Sequence, residues 1–243
     1  MKSSSRPLIF LHGWGGSSSS LKKPTENLIN DFLVFAPDLP GFGKTSPPDH
    51  PWKVADYANY ILKFAQSKNL KKFFLVGHSF GGRIAIKIAA LYPQKVEKLV
   101  LCNSSGTGRG NLLKRIIFFF LAKTGNLLFY LWPLCLGRPL AKSFLYKLAK
   151  EKDYLKTKGI MRQTFKNIIV EDQTHEIQKI KVPTLILWAQ KDKQTPPRLG
   201  YEIHSLIKNS KLIIIPHATH GLPFLDPQTF ARHVLAFFKK DSP

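Results

Sequence analysis

The chain has 243 residues, 44% hydrophobic and 12% aromatic, which is enough apolar material for one core with an insertion and excludes an extended disordered protein. Its formal charge is +22, from 37 Lys and Arg against 15 Asp and Glu, and favours anionic surroundings. No zinc-finger spacing, basic heptad or RNP-like aromatic run accompanies that charge, so no specific nucleic acid is expected as a partner.

The first apolar run, Pro7 to Leu11, is far too short for a signal-peptide core, and it leads into His12-Gly13-Trp14-Gly15-Gly16. The second, Phe32 to Ala36, leads into Asp38-Leu39-Pro40-Gly41-Phe42-Gly43. A helix is predicted over Val54 to Ser67, where Tyr57, Ile61, Leu62 and Phe64 fall near one stripe. The third run, Phe73 to Val76, ends at Gly77-His78-Ser79-Phe80-Gly81, and a helix-like stretch follows from Arg83 to Leu91. The remaining runs are Val96 to Leu101, Thr184 to Ala189 and Leu212 to Ile215, with a last helix over Thr229 to Phe238. Strands apolar on both faces and separated by helices imply a parallel sheet covered on two sides. The fold class is therefore α/β, doubly wound, with a mainly parallel six-stranded sheet.

The alternation breaks over residues 106–181, where no run reads as a core strand and several read as helices. These residues are expected to form a helical cap inserted into a core made of 1–105 and 182–243. Residues 104–182 carry 15 Lys and Arg against 5 Asp and Glu, about twice the positive charge density of the rest. The stretch from Leu112 to Leu136 is very apolar but is broken by Lys123, Gly125-Asn126 and Pro133, whereas a membrane span needs about 20 uninterrupted apolar residues. Phe118, Phe119, Leu128 and Trp132 are expected to roof the core and line an apolar acyl pocket together with Trp14. Arg109, Lys114, Arg115 and Lys123 beside these aromatics also suit an anionic membrane surface or an acidic carrier protein. Cys102 and Cys135, in apolar surroundings, are expected as buried free thiols, which favours a reducing, cytoplasmic setting.

A serine in a sharp strand-to-helix turn, flanked by glycines where no side chain fits, stands exposed above the sheet. Its hydroxyl becomes a nucleophile when a base takes the proton and a third group orients that base. His220, in Pro216-His217-Ala218-Thr219-His220-Gly221, follows the last strand, and Asp192 follows the strand before it. Both lie at the carboxyl edge of the sheet, as Ser79 does, in the chain order Ser, Asp, His. The backbone N–H groups of Trp14 and Phe80 are the candidate oxyanion donors.

These five motifs resemble the α/β-hydrolase superfamily in its small, cap-bearing branch, and the likeness spans nearly the whole chain. It implies hydrolysis through an acyl-enzyme, with Ser79, Asp192 and His220 as catalytic residues and no metal or organic cofactor. The family often opens with a β-hairpin, which the six residues ahead of the first strand leave no room for. Within the family the chain is similar to carboxylesterases and to pimeloyl-carrier methyl ester esterases, through His12-Gly13-Trp14-Gly15 and its brevity. The expected reaction is cleavage of carboxylic esters of small to medium apolar acyl groups, a small-molecule ester being the substrate. The alternatives are hydrolysis of a carbon–carbon bond in a diketone-type substrate, or a non-catalytic ligand-binding or membrane-associated protein of this fold.

Other polar residues are read as structural. His12 is expected to be a buried orienter of the glycine loop, Asp38 a loop-shaping residue, His78 structural and Arg83 a helix-face charge. Asp226, before Pro227, reads as a helix cap, and His217 is the competitor of His220. His50, His175, His204 and His233 show no spacing of a metal site.

Overall fold

The computed structural model describes residues 6–107 and 157–239. Six strands, β1 (Arg6–Leu11), β2 (Phe32–Phe35), β3 (Phe73–His78), β4 (Val96–Cys102), β5 (Thr184–Ala189) and β6 (Ser210–Ile215), form one sheet in the order β2-β1-β3-β4-β5-β6. Every neighbouring pair is parallel. Helices α1 (Ser18–Thr25), α2 (Val54–Ser67), α3 (Phe80–Leu91), α4 (Gly159–Val170), α5 (Thr174–Lys179), α6 (Pro197–Leu206), α7 (Leu222–Leu225) and α8 (Pro227–Lys239) complete the described elements, with a short 3₁₀ turn at Pro93–Lys95.

Alternation along the strands sorts their side chains into two apolar layers. Ile9, Leu11, Leu75, Leu101, Ile186 and Trp188 pack with Tyr57 and Ile61 of α2, Ile84 and Ile88 of α3, and Ile203 of α6. Leu8, Phe10, Phe74, Val76, Val100 and Leu187 pack with Leu21 of α1 and with Phe230, Val234 and Phe238 of α8. Both layers are buried, which is why β3 and β5 read as continuous apolar runs: all six residues of each are buried. Each fully buried large aliphatic or aromatic side chain contributes about 1.5–3 kcal/mol.

All six predicted strands are present. β3 runs two residues further than its apolar run because pairing needs only main chain, and Gly77 and His78 stay in register with Leu101 and Cys102 of β4. That extension places Ser79 directly at the strand tip. The chain moves outward from β1 to β2, then returns past β1 to β3 and onward. Connections leaving the carboxyl ends of β1 and β3 therefore diverge, opening the crevice where parallel sheets of this kind bind ligands.

Residues 108–156, including Phe118, Phe119, Leu128, Trp132, Lys114, Arg115 and Cys135, lie outside the described residues. Residues 157–181 hold α4 and α5. Gln173 donates its backbone N–H to the Gly106 carbonyl at 2.8 Å, joining the two flanks of that segment. Lys87 of α3 lies 2.7 Å from Glu171 and 2.6 Å from Glu176. Arg83 departs from expectation: it is buried, not an exposed helix-face charge, with Nε donating to Ser105 Oγ at 2.8 Å and a terminal nitrogen to the Glu171 carbonyl at 2.9 Å. The reason is that α3 is covered by the sheet on one side and by α5 on another, so no face of its first turns meets solvent. Among the described residues no helix is long and apolar enough to cross a membrane.

Candidate active site

Ser79 occupies the turn between β3 and α3 with φ 54° and ψ −113°, a left-handed conformation that a non-glycine residue adopts only where its surroundings hold it. The surroundings are close on both sides. A Cβ on Gly77 would meet the Gly81 carbonyl oxygen at 2.5 Å, and one on Gly81 would press on the Leu11 carbonyl. The Ser79 backbone N–H donates to the Cys102 carbonyl at 3.0 Å, and its side chain makes no cap for α3. The hydroxyl is left for His220.

His220 Nε2 lies 3.0 Å from Ser79 Oγ, and His220 Nδ1 lies 2.7 Å from Asp192 Oδ2. A carboxylate only accepts, so Nδ1 carries the hydrogen and Nε2 offers a lone pair to the Ser79 hydroxyl. Asp192 is buried, and burial by itself would raise its carboxyl. The hydrogen bond and charge of His220 and the donors of Thr195 outweigh this, holding the carboxyl below its ordinary value. Oδ1 accepts the backbone N–H of Gln194 at 2.8 Å and of Thr195 at 2.9 Å, and the Thr195 hydroxyl lies 2.8 Å from Oδ2.

The glycine loop after β1 lies beside Ser79. His12 is fully buried, donates from Nδ1 to the Gly13 carbonyl at 2.8 Å and accepts the Leu39 N–H at Nε2 at 3.1 Å, tying this loop to the one after β2. Burial lowers its pKa. Asp38 accepts the N–H groups of Ser18 and Lys44, which hold its carboxyl low against the opposing effect of burial. The Trp14 ring contacts Phe42 at 4.8 Å, Phe80 at 5.4 Å and Phe165 of α4 at 4.9 Å between centroids. Phe80 is the first residue of α3, so its N–H has no partner within the helix. Trp14 and Ser79 line the same cleft, and Phe80 directly follows Ser79.

A cleft of about 330 Å³ is lined by Ser79 and His220 together with Trp14, Ser20, Gln194 and Phe224. Asp226 accepts the Thr229 N–H at 3.1 Å at the start of α8, the expected cap, and His217 is exposed with φ 61°. Sequence reasoning missed Asn103 and Thr195. Asn103 is fully buried; its Oδ1 accepts the Ala189 N–H at 2.8 Å, and its Nδ2 lies 2.9 Å from the His220 carbonyl. The one signal available was an asparagine directly after a strand, a residue that tolerates the left-handed φ of 45° found there.

Lipase 1 of Psychrobacter immobilis is 28% identical over 231 residues, covering 88% of this chain and 71% of its own. A pimeloyl-(acyl-carrier protein) methyl ester esterase of Neisseria meningitidis serogroup B is 27% identical, covering 90% of this chain and 87% of its own. Among solved structures, a serine hydrolase involved in carbazole degradation superposes with a TM-score of 0.72 at 26% identity, covering 97% of this chain and 91% of its own. The family model for the α/β-hydrolase fold matches residues 6–227, and the chain accordingly belongs to the α/β-hydrolase family and is a hydrolase enzyme.

Proposed function

We propose that this chain hydrolyses carboxylic esters of small to medium apolar acyl groups through an acyl-enzyme on Ser79. The observation that carries the reading is the His220 ring held between Ser79 Oγ at 3.0 Å and Asp192 at 2.7 Å. His220 takes the Ser79 proton as Oγ attacks the ester carbonyl, and the N–H groups of Trp14 and Phe80 hold the resulting oxyanion. The proton then passes from Nε2 to the leaving alcohol, and the acyl group stays on Oγ. A water enters, gives its proton to His220, and the acid leaves as the proton returns to Ser79. Asp192 keeps its charge throughout and stabilises the imidazolium.

The lipase and the methyl ester esterase among the relatives support an ester as the substrate. Residues 106–181 act as the cap in this reading, with Phe118, Phe119, Leu128 and Trp132 joining Trp14 around the acyl chain. The positive charge of the chain suits an ester presented on an acidic carrier or an anionic surface. A reducing, cytoplasmic setting suits the buried free thiol of Cys102.

The test is hydrolysis of p-nitrophenyl esters from acetate to laurate by the native protein and by Ser79→Ala, with circular dichroism to verify the fold. Turnover that peaks at short to medium chains and vanishes in the variant is expected. Full activity in folded Ser79→Ala overturns the mechanism. Inactivity on every ester, with turnover of a ring-cleavage diketone, replaces ester cleavage by carbon–carbon cleavage.

A further inference from the structure

The carbonyl oxygen of His220 accepts two side-chain hydrogen bonds, from His78 Nε2 at 2.8 Å and from Asn103 Nδ2 at 2.9 Å. A carbonyl can only accept, so His78 is the tautomer protonated at Nε2 and Asn103 turns its NH₂ toward His220. Asn103 Nδ2 also lies 3.3 Å from the Thr219 carbonyl, and its Oδ1 takes the Ala189 N–H. The Thr195 hydroxyl lies 3.0 Å from the Asn103 backbone carbonyl. One buried residue at the end of β4 therefore touches both the loop that carries Asp192 and the loop that carries His220.

His78 does the corresponding work from β3. It directly precedes Ser79 in the chain, while its ring reaches 142 residues along the sequence to His220. With the hydrogen on Nε2, Nδ1 is a buried lone pair without a partner among the described residues, packed where a Cβ on Gly13 would lie 3.2 Å away. Burial, then the nearness of His220, pulls its pKa down to about 3, so the ring stays neutral and does not compete with a positive charge forming on His220. Backbone hydrogen bonds hold the neighbours of His220, Lys191 N–H to the Ala218 carbonyl at 2.9 Å and Leu222 N–H to the Thr219 carbonyl at 3.0 Å. Neither engages His220 itself.

We infer that His78 and Asn103 are positioning residues that clamp the His220 carbonyl and so hold its imidazole in line between Ser79 and Asp192. This rests on the reading of those three residues as the reacting groups. Proton transfer requires a heavy-atom distance of about 2.6–3.2 Å, and a displacement of about 1 Å costs on the order of 100-fold in rate. Because His78 and Ser79 are consecutive, the clamp registers the base against the turn that holds the nucleophile. Asn103 registers it against the loop that holds the acid.

The experiment compares His78→Leu, which removes the donor, with His78→Gln, which restores an N–H of similar reach, and Asn103→Asp, which replaces the donor by an acceptor of the same shape. On p-nitrophenyl butyrate, His78→Leu and Asn103→Asp are expected to lose roughly 30- to 100-fold in kcat with KM within about twofold, and His78→Gln to recover to within several-fold of native. Proton NMR adds a readout that a merely structural role would not move: the downfield resonance of the His220 Nδ1 hydrogen on Asp192 should broaden in His78→Leu and Asn103→Asp and sharpen again in His78→Gln. Native-like kcat in the folded variants, or a loss that only follows the folded fraction while the resonance is unchanged, overturns the clamp. If Asn103→Asp does not fold, the His78 pair decides alone. Ser79→Ala separates the two layers: activity in it removes the triad reading and the clamp together, whereas its inactivity alongside native-like His78→Leu removes the clamp only.

Discussion

Thr195 shows how much a buried residue outside the cleft lining can set the charge at this site. Its hydroxyl lies 2.8 Å from Asp192 Oδ2, 3.0 Å from the Asn103 carbonyl and 3.2 Å from His220 Nδ1, yet it has one hydrogen to give. Donation to the carboxylate is favoured because hydrogen bonds to ionised acceptors are the stronger ones. Thr195→Val keeps the shape and removes that donor, so the Asp192 carboxyl should rise and the fold should lose about 1.5–3 kcal/mol at pH 7. The sign follows from linkage. Asp192 is depressed in the folded state, so its contribution is present above the unfolded value of 3.8 and is lost as pH falls through the folded one. Urea denaturation of both proteins should show the gap at pH 7 closing as pH falls through that folded value; a gap independent of pH would assign the loss to packing.

At the scale of elements, α3 is the piece on which the site rests. Its first turn carries the Phe80 N–H, its glycines let it approach β1, and its polar residues Arg83 and Lys87 hold the segment around α5. Lys87 is buried against Glu171 and Glu176, so removing its charge takes the cation from two half-buried carboxylates, of which Glu171 also accepts the Val54 N–H at 3.4 Å. Lys87→Met should destabilise the fold by less than the range of about 3–5 kcal/mol for a fully buried pair broken from one side, because both carboxylates keep contact with water. Glu176 is held low by Lys87 against the opposing effect of burial, and Lys87 is raised. The pair thus stabilises the fold between two limits: it is lost on the acid side as pH drops below the unfolded Glu value of 4.5, and on the alkaline side as pH rises through the folded Lys value, above 10.5. The difference in denaturation free energy between the native protein and Lys87→Met should show that plateau and shrink at both edges. A difference independent of pH would mean that the charges are not coupled to folding. In sequence Arg83 reads as a helix-face charge because helical periodicity reports only that one stripe is apolar. It does not report that a second layer covers the opposite stripe.

Over the whole molecule the excess of 22 positive charges acts at a distance rather than in any one contact. The screening length shortens from about 30 Å at 0.01 M salt to about 8 Å at 0.15 M. The kcat/KM for an ester delivered on an acidic protein should therefore fall steeply over that range while p-nitrophenyl butyrate, which is neutral, is turned over at a constant rate. Equal salt sensitivity for both would remove electrostatic delivery. The same long view separates what was legible from what was not. Runs apolar on both faces, each followed by glycine-rich or polar loops, were sufficient to specify a parallel sheet and to put the loops of His12, Ser79, Asp192 and His220 on one edge, because side-chain period and loop position are local properties of the chain. Tertiary structure alone decided that His78 and Asn103 converge on one carbonyl, that Thr195 donates to Asp192, and that Arg83 and Lys87 are buried. Those contacts join residues as far as 142 positions apart, and hydrogen-bond partners at that separation depend on how strands and loops stack, which no local pattern encodes.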